Sequence, residues 1–358
     1  AEAPETPERT EGAAAPTPRR NRSLETYEAL LARSQAERHD DPVLMVELAW
    51  LASRLAGHLD GADHTPAEVA DRQARAWGEL ANAYRVSGNL EQAERTMVQA
   101  LGFSMLGSGD PAIGARLCDL RASLLGDQRH WKAAFGLLDV AHATHLQQGD
   151  RHNAGRALIS KGIYTGYSGE PESAVELIGQ GLATIDQDRD PHLTRAAIQS
   201  KAVFLVDAGL FREARTLLWQ NRGRFITHCG HIDRLKLLGL EGRINAALGH
   251  PDRAERAFRQ AREGFAEAGL RYHVALLSLD LATLHMQQRR TAQAQAAAEE
   301  AAEIFIALEI GREALAALFI LRRAFEVEMV TATLLSGVAD FMRRFELDPE
   351  ARYEPRFE

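Results

Sequence analysis

Residues 75–100 read RAWGELANAYRVSGNLEQAERTMVQA. Trp77, Leu80, Ala81 and Tyr84 fall at i, i+3, i+4 and i+7, the spacing of one apolar helix face. After Gly88, a second such face runs through Ala93, Met97 and Ala100. Gly suits the turn between them, because helices commonly end in a left-handed residue that only Gly adopts without steric cost. The stretch therefore reads as two amphipathic helices joined by a tight turn.

The pattern repeats. Leu158, Gly162, Gly169, Ala174, Ile178 and Gly181 form one copy, and Ile198, Ala202, Leu205, Gly209, Ala214 and Leu218 another. Leu238, Gly242, Gly249, Ala254, Phe258 and Ala261 form a third. Weaker copies carry Cys118, Ala122, Leu125, Ala134, Leu138 and Ala141, and Leu281, Ala282, Ala294, Ala298 and Ala301. The second-helix alanines Ala93, Ala134, Ala174, Ala214, Ala254 and Ala294 step by 41, 40, 40, 40 and 40 residues. Six copies at this near-constant spacing specify a repeat array. Ala81, Ala122, Gly162, Ala202, Gly242 and Ala282 hold one place in each first helix. Small residues at both places let the paired helices approach closely, so all twelve are expected to be buried. Two turns carry Arg129 and Arg289 in place of Gly and are expected to close differently.

Composition agrees with an all-helical chain. The 358 residues include 60 alanines and only 6% aromatics. Ala enters a helix at least cost, whereas sheets favour β-branched and aromatic residues. A net charge of −8 argues against direct nucleic-acid binding, and no apolar run is long enough to span a membrane. Two cysteines, Cys118 and Cys229, make no disulfide framework and fit a reducing, cytoplasmic setting. Residues 1–23 hold four of the twelve prolines and no apolar periodicity, and read as a flexible linker. With a chain that starts at Ala1 without Met, this linker leads us to expect a further N-terminal domain. The expected organisation is a linker at 1–23, an N-terminal helical cap at 24–70, six repeats at 71–310, a capping helix pair at 311–346 and a tail at 347–358. Phe319, Phe325, Phe341 and Phe345 of the last pair are expected to cover the sixth repeat, with Tyr353 and Phe357 of the tail folded back on them.

Trp77, Leu80, Ala81, Tyr84, Ala93, Met97 and Ala100 resemble the tetratricopeptide repeat (TPR) signature at its characteristic offsets. The resemblance covers about residues 70–305, with units of about 40 residues instead of the usual 34. Such long units resemble the sensory arms of bacterial transcription regulators and some cargo-binding adaptors. The resemblance implies a right-handed, all-α solenoid whose first helices line a concave groove. One family-typical groove position is held here by Arg75, Arg116, Arg156, Ala196, Lys236 and Leu276, with Asn82, Arg85 and Arg243 at others. Basic residues gathered on one face of an acidic protein suit an acidic peptide or protein partner. Alternatively they are solvated arginines paired with neighbouring acids. The family's carboxylate clamp is only partly met, because Gly78 stands where a Lys is needed.

At a position usually held by a buried Leu, the copies read Leu80, Arg121, Lys161, Lys201, Glu241 and Leu281. Buried charges need partners, so these four are expected either to snorkel into the groove or to pair along the stack, Lys201 with Glu241 first. No catalytic motif occurs. His142, His145 and His152, and His228, Cys229 and His231, have ligand-like spacing but lie two repeats apart, and read as helix-end histidines. No metal or cofactor is expected. The function expected is that of a protein-interaction or sensor module in a larger bacterial regulatory protein. A free-standing adaptor is the alternative, and an enzyme with an unrecognised site the remote one.

Overall fold

The computed structural model describes residues 19–353 apart from 39, 59–64, 229, 309–310, 327–328 and 350. Among the described residues there are seventeen helices and no strand. The contacts divide the chain into two compact units, Ala1–Thr144 and His145–Glu358.

In the first unit lie α1 (Arg19–Ala36), α2 (Pro42–Ala56), α3 (Pro66–Val86), α4 (Leu90–Ser104), α5 (Pro111–Asp127) and nearly all of α6 (Trp131–Gln147). In the second lie α7 (Arg151–Tyr167), α8 (Pro171–Thr184), α9 (Pro191–Asp207), α10 (Phe211–Gln220), α11 (Arg222–His228), α12 (His231–Ala247), α13 (Pro251–Glu267), α14 (Arg271–Gln287), α15 (Thr291–Ala307), α16 (Arg312–Glu326) and α17 (Ala332–Leu347). The first helices α5, α7, α9, α12 and α14 each hold 17 residues and start 40 apart. The second helix of the fourth copy is broken at Asn221 into α10 and α11.

All twelve small residues are buried, the six second-helix alanines completely. The first helices α3, α7, α9, α12 and α14 pack on their own second helices, and in each unit first helices also pack on neighbours from the preceding copy. α7 and α8 approach closely at Gly155, Gly162 and Gly181. A Cβ on Gly181 would stand 2.8 Å from the Gly155 carbonyl oxygen and 3.0 Å from the Ile159 nitrogen, and backbone cannot yield as a side chain can. Gly181→Ala is therefore expected to cost about 1–3 kcal/mol by overpacking, although Ala is the better helix former. Gly136→Ala, with nothing within 4 Å of the added carbon, should gain about 0.5–1 kcal/mol. Urea titration of the two variants checks the contrast in sign.

The turns correct one expectation. Arg129 and Arg289 have φ of 62° and 60°, the left-handed conformation also taken by Gly88, Gly169, Gly209 and Gly249. The closing hydrogen bonds match as well. The His130 N–H donates to the Leu125 carbonyl at 2.8 Å, as Asn89 does to Tyr84 at 2.9 Å, and Arg290 donates to His285 at 2.8 Å. The turn closes identically without Gly, and the two arginines carry a backbone cost of about 1–2 kcal/mol each.

The C-terminal helices close the last repeat. α16 packs on α15, and α17 packs on α14. One core joins Ala275, Leu276, Leu279 and Phe305 of the repeat to Leu318, Leu335, Val338, Phe341 and Phe345. Tyr353 of the tail lies on Phe341, ring centroids 5.1 Å apart, and Phe325 packs against the same core. Phe319 departs from expectation: it is 58% exposed. Phe357 lies outside the described residues.

Candidate partner-binding face

The residues at the groove positions are mostly held by carboxylates of their own chain. In the first unit, Arg75 of α3 pairs with Glu28 of α1 at 2.8 Å. Arg116 of α5 pairs with Glu79 of α3 at 2.8 Å. Arg85 of α3 pairs with Asp127 of α5 at 2.7 Å. Asn82 is buried, and its Oδ1 accepts from Arg85 Nε at 3.2 Å and from its Nη2 at 3.0 Å. That side chain orients an arginine, which commits its acceptor within the fold. For Arg75, burial is the largest influence and opposes the charge, but the hydrogen bond to Glu28 together with the charges of Tyr27, Glu28 and Glu79 holds the guanidinium above its ordinary pKa.

The same device recurs in the second unit. Arg243 of α12 reaches Asp207 of α9 at 3.1 Å and Asp340 of α17 at 3.6 Å. Arg195 of α9 reaches Asp233 of α12 at 3.0 Å. Arg343 of α17 pairs with Asp280 of α14, a position equivalent by the repeat to Glu79. Arg156 is half-buried, and Ala196 and Lys236 are exposed. Leu276, the groove position of the sixth copy, is buried in the core that α17 completes. The Tyr272 hydroxyl donates to the Met342 carbonyl at 2.7 Å, and His273 lies 3.7 Å from Glu346. Burial, and after it Lys236, holds the His273 imidazole below its ordinary pKa. The chain's own last helix thus covers the groove position at α14.

The acidic partners of these arginines were not among the residues singled out in sequence. They stand 36 to 47 residues from their arginines, and the signal available was an Asp or Glu recurring at about one repeat length.

The ladder at the usual Leu position behaves differently from expectation. Leu80 and Leu281 are buried at 2% and 5% exposure. Arg121 and Glu241 are exposed, while Lys161 and Lys201 are half-buried. Among the described residues no ion pair joins Lys201 to Glu241. The Lys201 ammonium lies over α8 instead, 2.8 Å from where a Cβ on Gly179 would stand. The charged positions therefore sit at partly open stripes, although burial still pushes the Glu241 carboxyl above its ordinary pKa.

His145 is buried, His142 and His152 are half-buried, and His231 is exposed. The side chains of His228 and Cys229 lie outside the described residues. Among those described, no group of three His, Cys, Asp or Glu residues could hold a metal ion. Cys118 is a half-buried free cysteine whose thiol is pushed up foremost by burial, which disfavours the reactive thiolate. No described helix is long and apolar enough to cross a membrane.

No family model matches the chain, and no curated protein matches it by sequence. Its fold is shared with solved structures. A Rap protein complexed with competence and sporulation factor is similar with a TM-score of 0.59 at 12% identity, over 91% of this chain and 88% of that one. The apo form of RapI gives 0.57 at 12% identity, over 79% and 98%. Aspartyl phosphate phosphatase F from Bacillus subtilis gives 0.56 at 14% identity, over 80% and 71%. The chain has a TPR-type fold: an all-α solenoid of helix-turn-helix repeats.

Proposed function

We propose that this chain is an interaction module that holds a protein or peptide partner against the groove positions of its first helices, within a larger, cytoplasmic regulatory protein. The observation that carries the reading is the likeness, over nine-tenths of the chain, to a Rap protein solved in complex with a factor. A repeat array also offers extended surface in place of a crowded pocket in which a reaction could be desolvated, which supports a binding role over an enzymatic one.

The ion pairs refine which residues meet the partner. Glu28, Asp127 and Asp207 keep 48%, 38% and 38% of their side-chain surface exposed. Water or a partner carboxylate can exchange with them at Arg75, Arg85 and Arg243. Lys236 is exposed, and Arg156 stands at the equivalent place in the third copy. Arg116 is the exception, because its acid is buried. An acidic partner would bind by several weak, salt-sensitive contacts of about 0.2–1 kcal/mol each.

A photo-crosslinking residue at Ala196, an exposed groove position, tests this in the source cells. A discrete adduct is expected, weakened by Lys236→Glu and absent when the crosslinker stands at Arg253, an exposed second-helix site. Equal adducts from both positions, or none from Ala196, would overturn the reading.

A further inference from the structure

A cleft of about 550 Å³ opens between α8 and α10, with α9 as its floor. That is the size of a small-molecule site. Val175, Leu205, Leu210 and Leu217 supply apolar walls, and Lys201, Arg212, Glu213 and Gln220 supply the polar groups. Two cations against one carboxylate leave the cleft net positive.

Lys201 is the informative residue. Leu holds its place in the first and sixth copies and is buried there, packed with Met45 and Ala49 in one case and with Phe258 and Phe265 in the other. Here the apolar side chain is replaced by a half-buried lysine whose ammonium has no ion-pair or hydrogen-bond partner among the described residues. Its seat on α8 is a glycine, Gly179, where other second helices carry Val98, Trp219 or Glu299. Snorkelling accounts for the methylene stem lying on apolar surface. The head group ends over the α8 backbone at Gly179, in a cleft open to water, with no ion pair among the described residues to match its charge.

We propose that this cleft binds an aliphatic carboxylate, its carboxyl group taken by Lys201 and its carbon chain laid on Val175, Leu205 and Leu217. The site is separate from the groove positions and does not depend on the function proposed for them. A free alkanoate, or an acidic side chain beside an apolar one on a peptide, presents the same chemistry.

The sequence makes the test direct, because the chain has only four lysines: Lys132, Lys161, Lys201 and Lys236. Reductive ¹³C-methylation keeps the charge and gives one side-chain NMR signal for each. Lys201→Met identifies the Lys201 signal by its loss and should fold, since Leu is buried at the matching place. Titration of the full chain with hexanoate is expected to shift the Lys201 signal saturably and leave the other three in place. Hexanamide should leave all four unmoved. Leu217→Asn keeps the ammonium and should weaken hexanoate binding at least threefold. Acetyl-Leu-Glu-amide separates the two sources: saturation by hexanoate alone marks a free acid, and saturation by the blocked dipeptide alone marks a peptide side chain. Equal shifts on all four lysines, the same response to hexanamide, or no saturation with either carboxylate would overturn the proposal.

Discussion

Replacing Arg116 by Ala should lower stability by about 3 kcal/mol, the scale set for breaking a buried ion pair from one side. Glu79 is only 2% exposed, and one of its oxygens, Oε2, already has no hydrogen-bond partner. Without Arg116 the other oxygen is stranded too, in a place water reaches poorly. Arg116→Glu should be worse, because it adds a second carboxylate beside the first. The double variant Arg116→Met with Glu79→Leu should recover most of the loss, since an apolar pair often matches a buried ionic one. Arg95 provides the contrast. Its pair with Glu91 is 70% and 77% exposed, so Arg95→Ala should change stability by less than about 0.5 kcal/mol. Urea unfolding of the four variants measures all of this, and an Arg116→Ala loss no larger than that of Arg95→Ala would show that Glu79 is not dependent on its partner.

Ending the chain before Gly311 should produce a protein that associates and aggregates. α16 and α17 cover Leu276, Leu279, Ala298 and Phe305, and their removal opens a contiguous apolar end of the kind soluble monomers avoid. It also strands Asp280, only 12% exposed, by removing Arg343. Phe341→Ala is the milder form of the same experiment. That ring is completely buried, and its loss should cost about 3–5 kcal/mol while the chain stays monomeric. Analytical ultracentrifugation separates the cases, and a truncated chain that sediments as a monomer with an unchanged melting temperature would contradict the capping role.

The helical frame was legible because it rests on local rules. Small residues at fixed offsets and a glycine at four of the six turns are visible within single repeats, and Ala93 through Ala294 announce the period by themselves. What sequence reading missed depends on relations between repeats. Arg129 and Arg289 adopt the glycine conformation because the hydrogen bonds of the turn and the packing of two helices outweigh a residue preference. Sequence left open whether the inner cations meet a partner or pair within the chain, because their acids lie on neighbouring copies: Asp127 and Asp207 share one place in the repeat, while Glu28 and Glu79 stand at others. Lys201 was expected to meet Glu241 because the two are equivalent in neighbouring copies. Equivalent places in adjacent copies face alike, however, and Lys201 lies over the preceding second helix α8 instead of toward Glu241. The covering of Leu276 by α17 had no local sign, since the last two helices depart from the repeat.

First helices that begin at residues 111, 151, 191, 231 and 271 have a consequence for how such a chain can change length. Each 40-residue segment corresponds to 120 nucleotides of coding sequence. Recombination between two misaligned copies would therefore add or delete one whole unit and leave the helix phase and the turns intact. The ion pairs between first helices limit that freedom. Arg116 needs an acid at the place of Glu79, and Arg243 needs one at the place of Asp207, so a duplicated or excised unit keeps its geometry but inherits a neighbour with different charges. Length would vary in steps of one repeat, and selection on the charged residues would follow each step.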